Sequence, residues 1–114
     1  MNELTSKQRK ILEKAAQPLS PLAQIGKERF NEEQAAQIRR LLCEHELIKV
    51  RYNIVRNLQS DENSTDIKRE LDSLIAKYTD SVHVRTIGNV GVFYRPADDA
   101  ENRKFEKMLE KSIS

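Results

Sequence analysis

Residues 22–34 read LAQIGKERFNEEQ, and the fold follows from how this stretch divides. The run LAQI at 22–25 reads as a short strand and stops at Gly26. Asn31, with Gln34 three residues on, has the form of a capping box. Ala35, Ile38, Leu41, Leu42 and His45 then share one face of a helix over about 31–45. At the junction, Ile25–Phe30, one glycine stands beside Lys27 and Arg29. Bare backbone next to cations at a strand–turn–helix is a place where a phosphate can sit. A single glycine is weak evidence, so the flanking chain has to support the reading.

Downstream, LIKVRY at 47–52 alternates, with Ile48, Val50 and Tyr52 pointing one way and Lys49 and Arg51 the other. Polar residues 56–64 form a loop. Ile67, Leu71, Leu74, Ile75 and Tyr78 then recur at helical spacing behind a Ser64 or Thr65 cap, predicting a helix over about 65–78. Ser81–Ile87 and Val90–Arg95 alternate again across Gly88-Asn89, a two-residue turn suited to a hairpin, and Pro96 closes the last strand. Upstream, Leu4, Ile11, Leu12, Ala15 and Ala16 fall within one arc of a helix over about 5–16, capped by Thr5 or Ser6 and stopped by Pro18 and Pro21. The tail 97–114 is highly charged, with Phe105, Met108 and Leu109 at helical spacing.

The expected fold is therefore α/β: a small mixed four-stranded sheet packed with three helices in the order α-β-α-β-α-β-β, plus a C-terminal helical tail. The expected division is a domain at 1–96 and a tail at 97–114. With the helices on one main face and Ile48, Val50, Val82, Val84, Val92 and Tyr94 turned towards them, the opposite face would carry Gln24, Lys49, Arg51, His83, Arg85, Phe93 and Arg95. Cations with a ring on one sheet face suit a nucleic-acid platform, although a plain solvated face has the same composition.

Charge points the same way. The net charge is +2. Residues 1–56 hold 11 Lys/Arg against 7 Asp/Glu, and residues 57–114 hold 9 against 11, so the basic excess lies in the N-terminal half. Lys7, Lys10 and Lys14 form a stripe bordering the apolar arc of the first helix, with Arg9 between them. Spacing alone does not separate a solvated flank from a polyanion-facing one.

Other chemistry finds little material. The single cysteine, Cys43, leaves no intramolecular disulfide, and no apolar run reads as a signal peptide or membrane span. Cys43 and His45 lie two apart on a helix and point in different directions, a poor nucleophile–base pair. His45 falls on the apolar face at a helix end, where a histidine compensates the dipole. One Cys and two His make no zinc set, and neither a Walker loop nor a dinucleotide fingerprint is present. No enzyme, no cofactor, no small-molecule substrate and a cytoplasmic location are the expectations.

Four segments in order, LTSKQRK at 4–10, LAQIGK at 22–27, ELIKV at 46–50 and IG…VFYRP at 87–96, resemble the CRM-domain family, which comprises bacterial YhbY-like ribosome-maturation proteins and plant organelle RNA-splicing domains. The resemblance covers about residues 3–96. It implies a fold similar to the C-terminal domain of bacterial translation initiation factor three and RNA as the partner, with rRNA of large-subunit precursors for a stand-alone bacterial member. It also implies a GxxG loop whose backbone approaches phosphate. Here that loop is Gly26-Lys27-Glu28-Arg29, with arginine in place of the second glycine. The expected RNA-binding residues are Lys7, Arg9, Lys10, Lys14, Gly26, Lys27, Arg29, Lys49, Arg51, Arg85 and Arg95. The competing expectation is a protein-interaction module in which Phe105, Met108 and Leu109 dock a partner or a second copy; a monomer is the favoured state.

Overall fold

The computed structural model describes residues 4–25, 30–53, 64–99, 101, 103–106 and 109. Gly26, Lys27, Glu28, Arg29 and Met108, and the loop expected over 56–64 up to residue 63, lie outside them. The elements run α1 (Ser6–Ala16), β1 (Ala23–Ile25), α2 (Glu32–His45), β2 (Leu47–Tyr52), α3 (Ser64–Thr79), β3 (Val82–Ile87) and β4 (Val90–Tyr94), in the order that periodicity predicts.

Local chemistry sets the helix starts. Thr5 and Gln8 form a reciprocal capping box, as do Asn31 and Gln34, so two orphan N–H groups are satisfied at each end. α3 ends with Asp80 at φ 51° and Ser81 N donating to Ala76 O at 3.0 Å, a Schellman-type closure. Thr79 and Ser81, both buried, share a hydroxyl hydrogen bond of 2.7 Å beneath it. Gly88 supplies the positive φ of 59° that a two-residue hairpin needs at its first central position.

The sheet order is β1-β2-β4-β3. β1 and β2 pair in parallel around α2, and β4 inserts antiparallel between β2 and β3. Helices cover both faces. On one, Ala23, Ile25, Ile48, Val50, Tyr52 and Phe93 pack with Ile38 and Leu42 of α2 and Ile75 of α3. On the other, Leu47, Val84, Val92 and Tyr94 pack with Leu12 and Ala16 of α1 and with Leu109.

This corrects the expected division of faces. Ile48 stands opposite Phe93 and Leu47 opposite Tyr94, so β4 presents Phe93, not Val92 and Tyr94, to the side that Ile48 faces. Phe93 is 0% exposed and cannot stack on a base. In β3 the register shifts between His83 and Arg85, a bulge that lets Val84 and Arg85 both serve the α1 side. α1, expected on the same face as the other helices, is the element that closes the second face.

The tail is tied into this core. Glu46, 1% exposed and at φ 62°, takes Ala97 N at 2.8 Å on one carboxylate oxygen and Lys104 N on the other, while its carbonyl accepts Arg95 N at 2.8 Å. Phe105 meets Tyr94 edge-on, with centroids 6.2 Å apart. The carboxylates of Glu46 and Glu106 add to burial in pushing the Tyr94 hydroxyl up to about 12.

Candidate nucleic-acid interface

The cations divide according to whether the fold already uses them. α1 lies across β2, β4 and β3, and three of its contacts occupy charged groups. Arg9 Nη1 donates to the carbonyls of His83 at 2.5 Å and Val84 at 2.7 Å, filling the acceptors exposed by the bulge. Glu13 binds Arg85 Nη1 at 2.8 Å. Lys49 Nζ donates to Gln17 O, at the end of α1, at 3.3 Å. Arg95, half-buried, reaches Asp98 at 3.4 Å. Arg9, Lys49, Arg85 and Arg95 therefore all have intramolecular partners.

Lys7, Lys10 and Lys14 are exposed and make no hydrogen bond or ion pair among the described residues. Arg51 is likewise exposed, on the same side of the sheet as Lys49 and opposite Gln24 in β1. Gln24 is held by Asn53 at 2.7 Å. Because β1 and β2 are parallel, Arg51 lies one position before the strand end where Ile25 leads into residues 26–29. The α1 stripe and Arg51 are thus exposed cations of α1 and of the sheet face that α1 covers, and Lys49, on the same strand face as Arg51, reaches the end of α1. This replaces the expected open platform: α1 occupies part of that face, and its own lysines supply the free charge.

Beneath the opposite face lies a polar cluster. Tyr52 Oη donates to Asp72 at 2.5 Å, Thr86 Oγ1 donates to the same oxygen at 2.7 Å, and His83 Nε2 lies 2.7 Å from Thr86 Oγ1 and 3.3 Å from the other Asp72 oxygen. With the Thr86 proton given to Asp72, its oxygen accepts from His83, which fixes the proton on Nε2. Burial, with the Asp72 hydrogen bond and charge, raises the Tyr52 pKa far beyond its ordinary value, so the phenol stays protonated. Burial also lowers the His83 pKa, against the pull of Asp72 and with that of Arg9. His83 is thereby a partner inside the fold rather than a member of a cationic platform. It rests on Phe93 with ring centroids 5.4 Å apart.

Three further expectations are revised. His45 is exposed, 3.8 Å from Glu44, rather than on the apolar face. Phe105 and Leu109 pack into the α1-side core, so these two residues of the tail stripe are already occupied. Tyr78, expected among the apolar positions of α3, is 49% exposed. Its ring sits 6.3 Å from that of Phe30, Lys77 Nζ stands 5.7 Å from its centroid, and Arg39 Nη1 holds its carbonyl at 2.8 Å. Its helical spacing with Leu71, Leu74 and Ile75 marks the phase of the helix but not the exposure of the ring.

A small mixed sheet between α1 and an α2/α3 layer, with a cationic face on α1, defines a compact α/β binding domain. The CRS1/YhbY (CRM) domain profile matches residues 4–95, and the chain belongs to that family. It is 34% identical over 103 residues to a Bacillus subtilis (strain 168) protein named "Probable RNA-binding protein YqeI", covering 90% of this chain and 97% of that one. To a Haemophilus influenzae protein named "RNA-binding protein" it is 32% identical over 101 residues, covering 89% and 94%. Among solved structures, the solution structure of SAV1595 from Staphylococcus aureus, a candidate RNA binding protein, superposes with a TM-score of 0.70 at 34% identity, covering 89% of this chain and 97% of that one.

Proposed function

We propose that this protein is a non-enzymatic RNA-binding protein that associates with rRNA in precursors of the large ribosomal subunit and assists their assembly in the cytoplasm. The observation that carries the reading is family membership across residues 4–95, with relatives named for RNA binding. The RNA-binding unit is residues 1–96 with 97–114 attached, and the protein acts as a monomer.

The residues assigned to RNA are Lys7, Lys10 and Lys14 of α1 and Arg51, with Gly26, Lys27 and Arg29 of the segment that follows β1 in the sequence. The loop is included from the sequence alone. In it, Lys27 and Arg29 supply side-chain cations where the family pattern has a second glycine. Arg9, Lys49, Arg85 and Arg95 take a supporting role, since each already has a protein partner.

The test is crosslinking in cells with sequencing of the attached RNA, run alongside gradient sedimentation. Reads concentrated in large-subunit rRNA and co-migration with subunit precursors are the expected result. Crosslinks scattered over messenger RNA, with the protein at the top of the gradient, would overturn the ribosomal assignment. In vitro, affinity should fall with salt at a log–log slope of roughly −0.7 to −0.9 per phosphate contacted. Arg29→Gly should weaken binding; unchanged affinity, with Lys27→Ala weakened, would remove Arg29 from the site.

A further inference from the structure

Tyr78 is an exposed aromatic residue next to the last position of α3. Its backbone is fixed from two directions, by Arg39 donating to its carbonyl at 2.8 Å and by the Thr79–Ser81 pair buried just beyond it. Arg39 is itself held by Glu32 at 2.6 Å. The ring is tilted 43° against Phe30, whose other contacts reach into the α2/α3 core, so it has a firm backing while 49% of the residue stays open to solvent. Phe30 is the residue that follows 26–29 in the chain, which puts this ring pair at the α2 end of the proposed RNA loop.

We infer that Tyr78, backed by Phe30, is a stacking site for an unpaired base of the bound RNA, with Lys77 available to that base's phosphate. The inference rests on the RNA-binding reading and adds to it the kind of RNA the site takes: a segment with at least one base outside a duplex. A rigid ring loses little side-chain freedom when a base covers it, and any of the four bases offers a π face. Lys77, now over the ring, is an exposed cation on a flexible stem and can swing to a neighbouring phosphate as the base arrives. Glu32 is paired with Arg39, and the other acidic residues within three positions of the two rings in the chain are Glu28, Glu33 and Asp80, set against Lys27, Arg29 and Lys77. On the α1 side the rings are Tyr94, which is buried, and Phe105, which is partly buried and packed edge-on against Tyr94. Duplex backbone and unpaired bases are thereby met by different sides of the molecule.

The full-length chain is titrated with a fluorescein-labelled 12-nucleotide single-stranded RNA of mixed sequence and with a blunt duplex of the same length. Tyr78→Ala is expected to weaken single-strand binding by about tenfold and duplex binding by less than about twofold, with the salt slope unchanged because no phosphate contact is lost. Tyr78→Phe should bind the single strand like the parent. Of the three tyrosines only Tyr78 is exposed, so quenching of tyrosine emission by the unlabelled single strand should vanish in Tyr78→Phe. Equal single-strand affinity for Tyr78→Ala and the parent, with binding still lost in Lys7→Ala/Lys10→Ala/Lys14→Ala, overturns the inference and leaves the RNA reading standing. Parent protein that binds neither RNA overturns both. Unchanged RNA affinity with altered self-association of Tyr78→Ala in sedimentation would make the ring a protein contact and overturn the inference too.

Discussion

Replacing Glu46 by glycine sets two effects against each other, and the structure decides which wins. The backbone at Glu46, with φ 62° and ψ −42°, is strained for a residue with a Cβ, so glycine relieves about 1 kcal/mol. The same change removes a buried carboxylate that accepts two backbone N–H groups, from Ala97 and Lys104. Each such charged hydrogen bond contributes about 1.5–3 kcal/mol, so about 3–6 kcal/mol is lost. The balance is a destabilisation of about 2–5 kcal/mol, a large part of the roughly 5–15 kcal/mol typical of a domain. Glu46→Gln keeps the backbone strain and one acceptor but turns an amide NH2 towards a backbone N–H, so a loss of about 2–4 kcal/mol is expected. Urea unfolding followed by far-UV circular dichroism measures both, and amide exchange at Ala97 and Lys104 reports whether the tail is released first. A Glu46→Gly protein as stable as the parent, with those two amides still protected, would refute the reasoning.

Gly91 lies under Tyr52, and a Cβ there would meet the Tyr52 hydroxyl and come within 2.8 Å of Phe93 Cε2. Gly91→Ala should cost about 1–3 kcal/mol, part of it recovered by adding Tyr52→Phe, as thermal unfolding of the single and double variants will show. Because burial holds the His83 pKa below its unfolded value, the unfolded chain takes up the proton first. Stability is thus full above pH about 6.5 and declines as pH falls towards the folded pKa. Urea midpoints between pH 7.5 and 5 should show that decline, and His83→Gln should flatten it. Lys7→Ala/Lys10→Ala/Lys14→Ala should leave the melting temperature within a few degrees, since none of the three side chains has a partner among the described residues, while weakening RNA binding and reducing the salt slope by about 2–3.

The element order was legible because each segment carried its own period and punctuation. Asn31 and Gln34 form the capping box their spacing announces, and Gly88 turns the hairpin it suggests. What alternation leaves open is which way a strand faces. LIKVRY and VGVFY each define two faces, but only the pairing of Ile48 with Phe93 relates one strand to the other. The bulge at His83–Arg85 then breaks the period in β3. The site suffered from the same gap. Arg9 and Arg85 look like any other surface cations until α1 is placed on the sheet, where one meets two carbonyls and the other Glu13. Glu46 had no signal at all, for its partners lie 51 and 58 residues further along the chain.

The bond from Arg9 to the bulge bears on how the molecule avoids sticking to itself. β3 is an outer strand of the sheet, and an outer strand with free carbonyls is a template on which another extended chain can form hydrogen bonds. At His83 and Val84 those carbonyls are already taken by one guanidinium, so an incoming strand would have to displace a charged donor to continue its ladder there. The other outer strand, β1, is only three residues long and offers little length to copy. Substituting Arg9 would therefore act beyond folding stability: it would open the one long border of the sheet to strand addition, and its first symptom would be concentration-dependent aggregation.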